Sequence, residues 1–152
     1  MEYCALSRHP VHSHVTKTLN PMKYTPILLG LLAMNALGAP RISEFMADNL
    51  AAYEDDQEAF SDWIEIHNPD ADTASMGGWF LTDDPDELQK WAFPSAAKVP
   101  ADGYLVVHAS GLNLKGLFDK TYHTNFSLRS GGEYLALVDP DGNVIQDFTE
   151  KY

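Results

Sequence analysis

Only one cysteine, Cys4, occurs in 152 residues. Once an amino-terminal leader is removed, the remaining chain has none. That excludes a disulfide framework, a thiolate nucleophile and a cysteine-based metal site, so stability must come from packing. Basic residues are also scarce: 10 Lys+Arg stand against 22 Asp+Glu, a formal net charge of −12. From Pro40 onward the imbalance sharpens to 7 against 21. Such a surface repels phosphate backbones and anionic lipid, which argues against direct nucleic-acid or membrane-surface binding. Cations or basic proteins suit it better, although acidity also serves plain solubility. No apolar run reaches the ~20 residues that a membrane-spanning helix needs. No sustained helical period, internal repeat or low-complexity linker breaks the chain into further domains. One globular domain fits this length and its 45% hydrophobic content.

The longest apolar run, Ile27-Leu-Leu-Gly-Leu-Leu-Ala-Met34, has the length of a secretory h-region. Lys23 precedes it, and Ala36-Leu37-Gly38 offers small residues for cleavage before Ala39. We therefore expect a signal peptide over 22–38 and an exported product: periplasmic, cell-surface or extracellular. Met22-Lys23 is a natural start for that signal, which makes 1–21 an upstream extension from a mis-called start. A genuine long n-region is the alternative. No transmembrane segment is expected in the mature chain.

Beyond Pro40, short runs of β type alternate with turn signals. Candidate strands are Arg41–Ala47, Asp62–His67, Trp79–Thr82, Lys90–Phe93, Tyr104–Ala109, Asn125–Leu128, Glu133–Val138 and Val144–Phe148. Asn68-Pro69-Asp70, Pro100-Ala101-Asp102-Gly103 and Asp139-Pro-Asp-Gly-Asn143 punctuate them as turns. Asn49–Phe60 is polar enough to be a solvated loop, with room for one helical turn. About eight short strands at this spacing predict an all-β sandwich or barrel. In the run Asp62-Trp63-Ile64-Glu65-Ile66-His67-Asn68-Pro69, strand alternation sends Ile64 and Ile66 inward and Trp63, Glu65 and His67 outward. Asn68 is placed to close an Asx turn and Pro69 to stop the strand.

Weighed for chemistry, the same residues point to structure. Asp62 and Glu65 are three apart on a strand, so they face opposite sides and cannot act on one bond. His67, His108 and His123 lie in separate segments without zinc spacing, and read as turn or surface residues. No nucleophile elbow supports a Ser-His-Asp triad, and no Gly-x-x-x-x-Gly-Lys loop supports phosphate binding. Asp83, Asp84, Asp86 and Glu87 offer hard oxygen ligands in one loop, and Asp139, Asp141 and Asn143 in another. The second is explained as a hairpin turn; calcium at Asp83–Glu87 is left open. No catalytic, cofactor-binding or metal residue is assigned, and no cofactor is expected. Trp63, Trp79 and Trp91 lie in candidate strands, and at least two are expected in the core.

The order of blocks carries a resemblance. Arg41-Ile42-Ser43-Glu44-Phe45-Met46-Ala47, Asp62–Pro69, Gly78-Trp79-Phe80-Leu81-Thr82-Asp83 and Trp91-Ala92-Phe93-Pro94 come first. Ala101–Val107, Asn125-Phe126-Ser127-Leu128, Gly131–Leu137 and Asp139-Pro140-Asp141-Gly142 follow. This series resembles the lamin tail domain family in its bacterial secreted form, from Arg41 to the end. The resemblance implies an immunoglobulin-like β-sandwich over 41–152 and a non-catalytic role. In nuclear lamins the domain is an interaction platform; in bacteria it accompanies other modules of exported proteins, among them hydrolases, nucleases and spore-coat-type kinase-like domains. The family pattern holds no catalytic residues, so none are carried over. The implied function is an exported interaction module with a protein or cell-surface partner. The alternatives are the accessory module of a truncated larger secreted enzyme, and a carbohydrate- or calcium-binding module.

Overall fold

The computed structural model describes residues 38–116 and 121–149. The expected extension over 1–21, and the expected signal peptide apart from Gly38, lie outside the described residues. Ten strands form: β1 (Arg41–Met46), β2 (Asp62–Asn68), β3 (Ala74–Ser75), β4 (Phe80–Thr82) and β5 (Trp91–Ala92). β6 (Lys98–Val99), β7 (Gly103–Ala109), β8 (Tyr122–His123), β9 (Leu135–Val138) and β10 (Val144–Phe148) complete the order. Among the described residues no helix is long and apolar enough to cross a membrane.

Two four-stranded sheets, β1-β2-β7-β8 and β10-β9-β4-β5, make an immunoglobulin-like sandwich, and β3-β6 forms a small third sheet. Pairing is antiparallel except between β7 and β8. β2 and β7 pair without interruption from Asp62↔Ala109 to Asn68↔Gly103. Their alternation sends Ile64, Ile66 and Val107 into a core with Leu81, Trp91, Leu135 and Leu137. Burying each such side chain stabilises the fold by ~1.5–3 kcal/mol. Edge strands β1 and β10 are clipped together by one side chain. The Ile42 N–H donates to Gln146 Oε1 at 2.8 Å, and Gln146 Nε2 donates back to the Ile42 carbonyl at 3.2 Å. Phe45 and Phe148 close the same seam edge to face, 5.0 Å apart. The Ile42 N–H and carbonyl, which would otherwise template another chain, are thereby occupied.

The turns form where the residues dictate. Gly142 adopts φ +86 in the β9–β10 hairpin, where Asp139 N–H donates to the Asn143 carbonyl at 2.9 Å. Gly103 N–H donates to Pro100 O at 3.1 Å. Asp70 N–H donates to Asn68 Oδ1 at 3.1 Å, the expected Asx turn. Two expectations are corrected. Asn125–Leu128 is not a ladder strand: Phe126 and Leu128 are buried, but Ser127 makes only an isolated bridge to Ser110. The pairing partner of β7 at that edge is Tyr122–His123 instead. Asn49–Phe60 contains no helical turn, and Asn49 and Asp55 within it are buried rather than solvated.

Candidate functional site on the outer face of the β1-β2-β7-β8 sheet

The inward residues of this sheet belong to the core, so any recognition chemistry falls on its outer face. Register defines that face in rows. Met46, Trp63, His108 and His123 form one; Glu44, Glu65 and Val106 the next; Arg41, His67 and Tyr104 the third. The loop between β1 and β2 folds back over the first row. Asp62 Oδ1 accepts the N–H groups of Asp48 and Asn49 at 2.8 and 3.0 Å. The Asn49 amide donates to the Tyr53 and Ser61 carbonyls at 2.6 and 2.9 Å. Asp55 Oδ1 accepts from Gln57 and Ala59 at 2.8 and 3.1 Å. Short Asx and Asn side chains turn this acidic segment by bonding their own backbone.

The loop is anchored by a relay around the buried His123. Asp56 Oδ1 lies 2.7 Å from His123 Nε2 and accepts from the Thr121 hydroxyl at 2.8 Å. His123 Nδ1 lies 2.9 Å from Ser110 Oγ, which also accepts the Leu112 N–H at 3.2 Å. A carboxylate can only accept, so His123 Nε2–H donates to Asp56. Burial alone would raise the Asp56 carboxyl; hydrogen bonds from His123, Thr121 and Gln57 overcome that and hold it well below the usual range. The relay contains the residue types of a hydrolase triad, but His123 exposes no surface and both ends are engaged by the fold. Its geometry is that of a clamp.

The expectation that these histidines are turn or surface residues is corrected. His108 and His123 are 1% and 0% exposed, with ring centroids 4.9 Å apart. Tyr53 stacks on His108 at 5.7 Å and 8°. Neither His108 nitrogen has a hydrogen-bond partner. Burial, then His123, pushes the His108 pKa below its usual value, with Asp55 and Asp56 opposing. The unfolded chain protonates this residue near 6.5 and the folded chain only lower. Its contribution to stability is therefore complete above pH ~6.5 and is lost as pH falls through the folded value, by up to ~1.4 kcal/mol per pH unit. His108→Phe leaves no orphaned imidazole between Tyr53 and His123. We expect it to raise stability at pH 5 by about 1 kcal/mol, and to flatten the slope of urea midpoints between pH 7 and 5. A variant less stable than the parent at both values would refute this.

Between loop and sheet lies a pocket of about 310 Å³ lined by Ala52, Tyr53, Trp63, Glu65 and Val106. Trp63 and Glu65 arrive from β2, Val106 from β7, and Ala52 and Tyr53 from the loop. The Ser43 hydroxyl donates to Glu65 Oε1 at 2.6 Å. The Trp63 indole N–H is buried without an acceptor. His67 stacks on Tyr104 at 4.6 Å in the adjacent row. Trp91 is in the core and Trp79 packs partly against it, as expected for two of the three indoles; Trp63 faces outward.

A family model described as Lamin Tail Domain matches residues 34–151. The chain belongs to the lamin tail domain family. No curated protein matches it. The family is one of non-enzymatic immunoglobulin-like domains, which agrees with a sandwich whose buried polar relay serves the fold. Strand alternation had singled out Trp63 and Glu65 as outward residues of the hallmark strand, and this lamin tail domain places both in its pocket. Tyr53 was missed; its signal was a lone tyrosine within an acidic loop.

The acidic loops are turns. Lys90 Nζ lies 2.6 Å from Asp83 Oδ1, and its hydrogen bond to that carboxylate raises the Lys90 pKa against burial. Thr82 Oγ1 lies 2.9 Å from both the Asp84 and Glu87 carbonyls, within reach of its one proton, and Asp84 Oδ1 caps Asp86 N–H at 2.9 Å. Asp139 Oδ1 accepts from Asp141 and Asn143 at 2.9 and 2.8 Å. Among the described residues no group of three or more His, Cys, Asp or Glu is arranged to hold a metal ion.

Proposed function

We propose that this lamin tail domain is an exported, non-catalytic interaction module that meets a protein or cell-surface partner through the outer face of β1-β2-β7-β8. The observation that carries the reading is the pocket lined by Tyr53, Trp63 and Glu65, beside an exposed Tyr104. Partly desolvated aromatics on one face are what recognition surfaces use. Export rests on the leader pattern at 22–38, and amino-terminal sequencing of the secreted product should begin at Ala39.

The face is tested by comparing the full chain with a Trp63→Ala/Tyr104→Ala variant of matched far-UV spectrum. The parent, immobilised, should retain a cross-linkable partner from the surrounding extracellular material. The variant should retain at most about a tenth as much, as expected when interface aromatics are truncated. Equal retention would sink the reading.

A further inference from the structure

We propose that the pocket of Tyr53, Trp63 and Glu65 receives the cationic head of a lysine or arginine side chain from a basic protein partner. The inference rests on the interaction-module reading and names the chemistry of its partner.

The lining matches such a side chain part by part. Val106 and Ala52 offer apolar surface to an alkyl stem, Trp63 and Tyr53 offer aromatic rings, and Glu65 offers the counter-charge. Glu65 also stands directly across from Glu44 in the β1–β2 register. Like charges opposite each other destabilise a sheet. Among the described residues neither carboxylate has an ion pair. Arg41 stands in the next row, opposite His67, and pairs with neither. A bound cation relieves that repulsion. The Ser43 hydroxyl fixes one Glu65 oxygen, so the carboxylate is oriented in advance.

The two facing glutamates narrow the ligand class. A basic side chain brings them a charge, and a saccharide brings none. The domain already seats one ammonium on an indole, with Lys115 Nζ 4.1 Å from the Trp91 ring centroid. Its net negative charge steers basic chains toward it.

The test titrates the full chain with capped tripeptides bearing a central lysine, arginine or norleucine, and with a neutral oligosaccharide, following the indole N–H resonances by NMR. The lysine and arginine peptides should move the Trp63 resonance, with dissociation constants in roughly the millimolar range for one side chain. The norleucine peptide should not. Glu65→Gln keeps an acceptor for Ser43 and removes the charge, and should weaken binding about fivefold. Asp141→Asn, which removes one charge from the distant β9–β10 hairpin, should leave it unchanged. Equal binding by the norleucine peptide, indifference to Glu65→Gln, or a response to the oligosaccharide alone would each overturn the proposal. If no tripeptide binds while the parent still captures a partner through this face, the pocket chemistry falls and the module reading stands. If the basic peptides bind but capture is indifferent to Trp63→Ala/Tyr104→Ala, the module reading falls and the pocket stands.

Discussion

Asn68→Ala should lower the unfolding free energy by about 3 kcal/mol, read as a drop in urea midpoint at unchanged m-value. Asn68 ends the hallmark strand and is wholly buried. Its amide donates to the Asp72 and Pro100 carbonyls at 2.8 and 2.9 Å, with the Val99 carbonyl at 3.2 Å. Its Oδ1 accepts the Asp70 N–H. One side chain thus ties β2 to the turn after it and to the β6–β7 connection. Each backbone group left unsatisfied costs about 1–3 kcal/mol where water cannot reach it. Part of the turn is near solvent, which holds the total near 3 rather than at the upper bound. Asn68→Asp keeps the acceptor but aims a carboxylate at carbonyl oxygens, so it should be no milder than alanine. A loss below 1 kcal/mol for both would mean that Pro69 and the strand pairing fix this turn unaided.

Asn68 also marks where sequence reasoning works. Its turn, the inward isoleucines and the outward Trp63 and Glu65 follow from strand alternation and turn chemistry, both local properties. The strand boundaries were legible for the same reason wherever alternation ran for several residues. β3 and β6 are two residues each, too short to show a period. Phe126 and Leu128 alternate because they are buried, and burial was read as ladder pairing. The site was half legible. β2 could be oriented from its own residues, but nothing local to β7 or β8 says that the loop over 49–60 covers His108 and His123. Asp56 and His123 are 67 positions apart. Their contact is a consequence of topology, so isolated histidines without ligand spacing gave no warning of a buried pair.

That long-range contact sets the other large effect. Asp56→Ala should cost about 2 kcal/mol at pH 7, because it removes the shared acceptor of His123 Nε2–H and the Thr121 hydroxyl, which then keep only each other at 3.2 Å. Asp56→Asn retains one acceptor oxygen and should cost roughly half as much. The sign of the pH dependence follows from the depressed carboxyl. Stability from Asp56 is fully present above its unfolded pKa near 3.8 and is lost as pH falls through the lower folded value. The gap between parent and Asp56→Ala should therefore be full at pH 7 and shrink below pH ~4. The local consequence is distinct from the global one. Releasing the clamp frees the loop that carries Tyr53, so amides of 52–59 should exchange faster in Asp56→Ala than the drop in global stability explains. The β2–β7 ladder should lose protection only by the global amount. The pocket loses Ala52 and Tyr53 with the loop, so the Trp63 resonance should become indifferent to the lysine tripeptide even where the sandwich stays folded. Loop amides whose exchange quickens no more than the ladder's, or a gap that widens toward acid, would show that the relay does not clamp the loop.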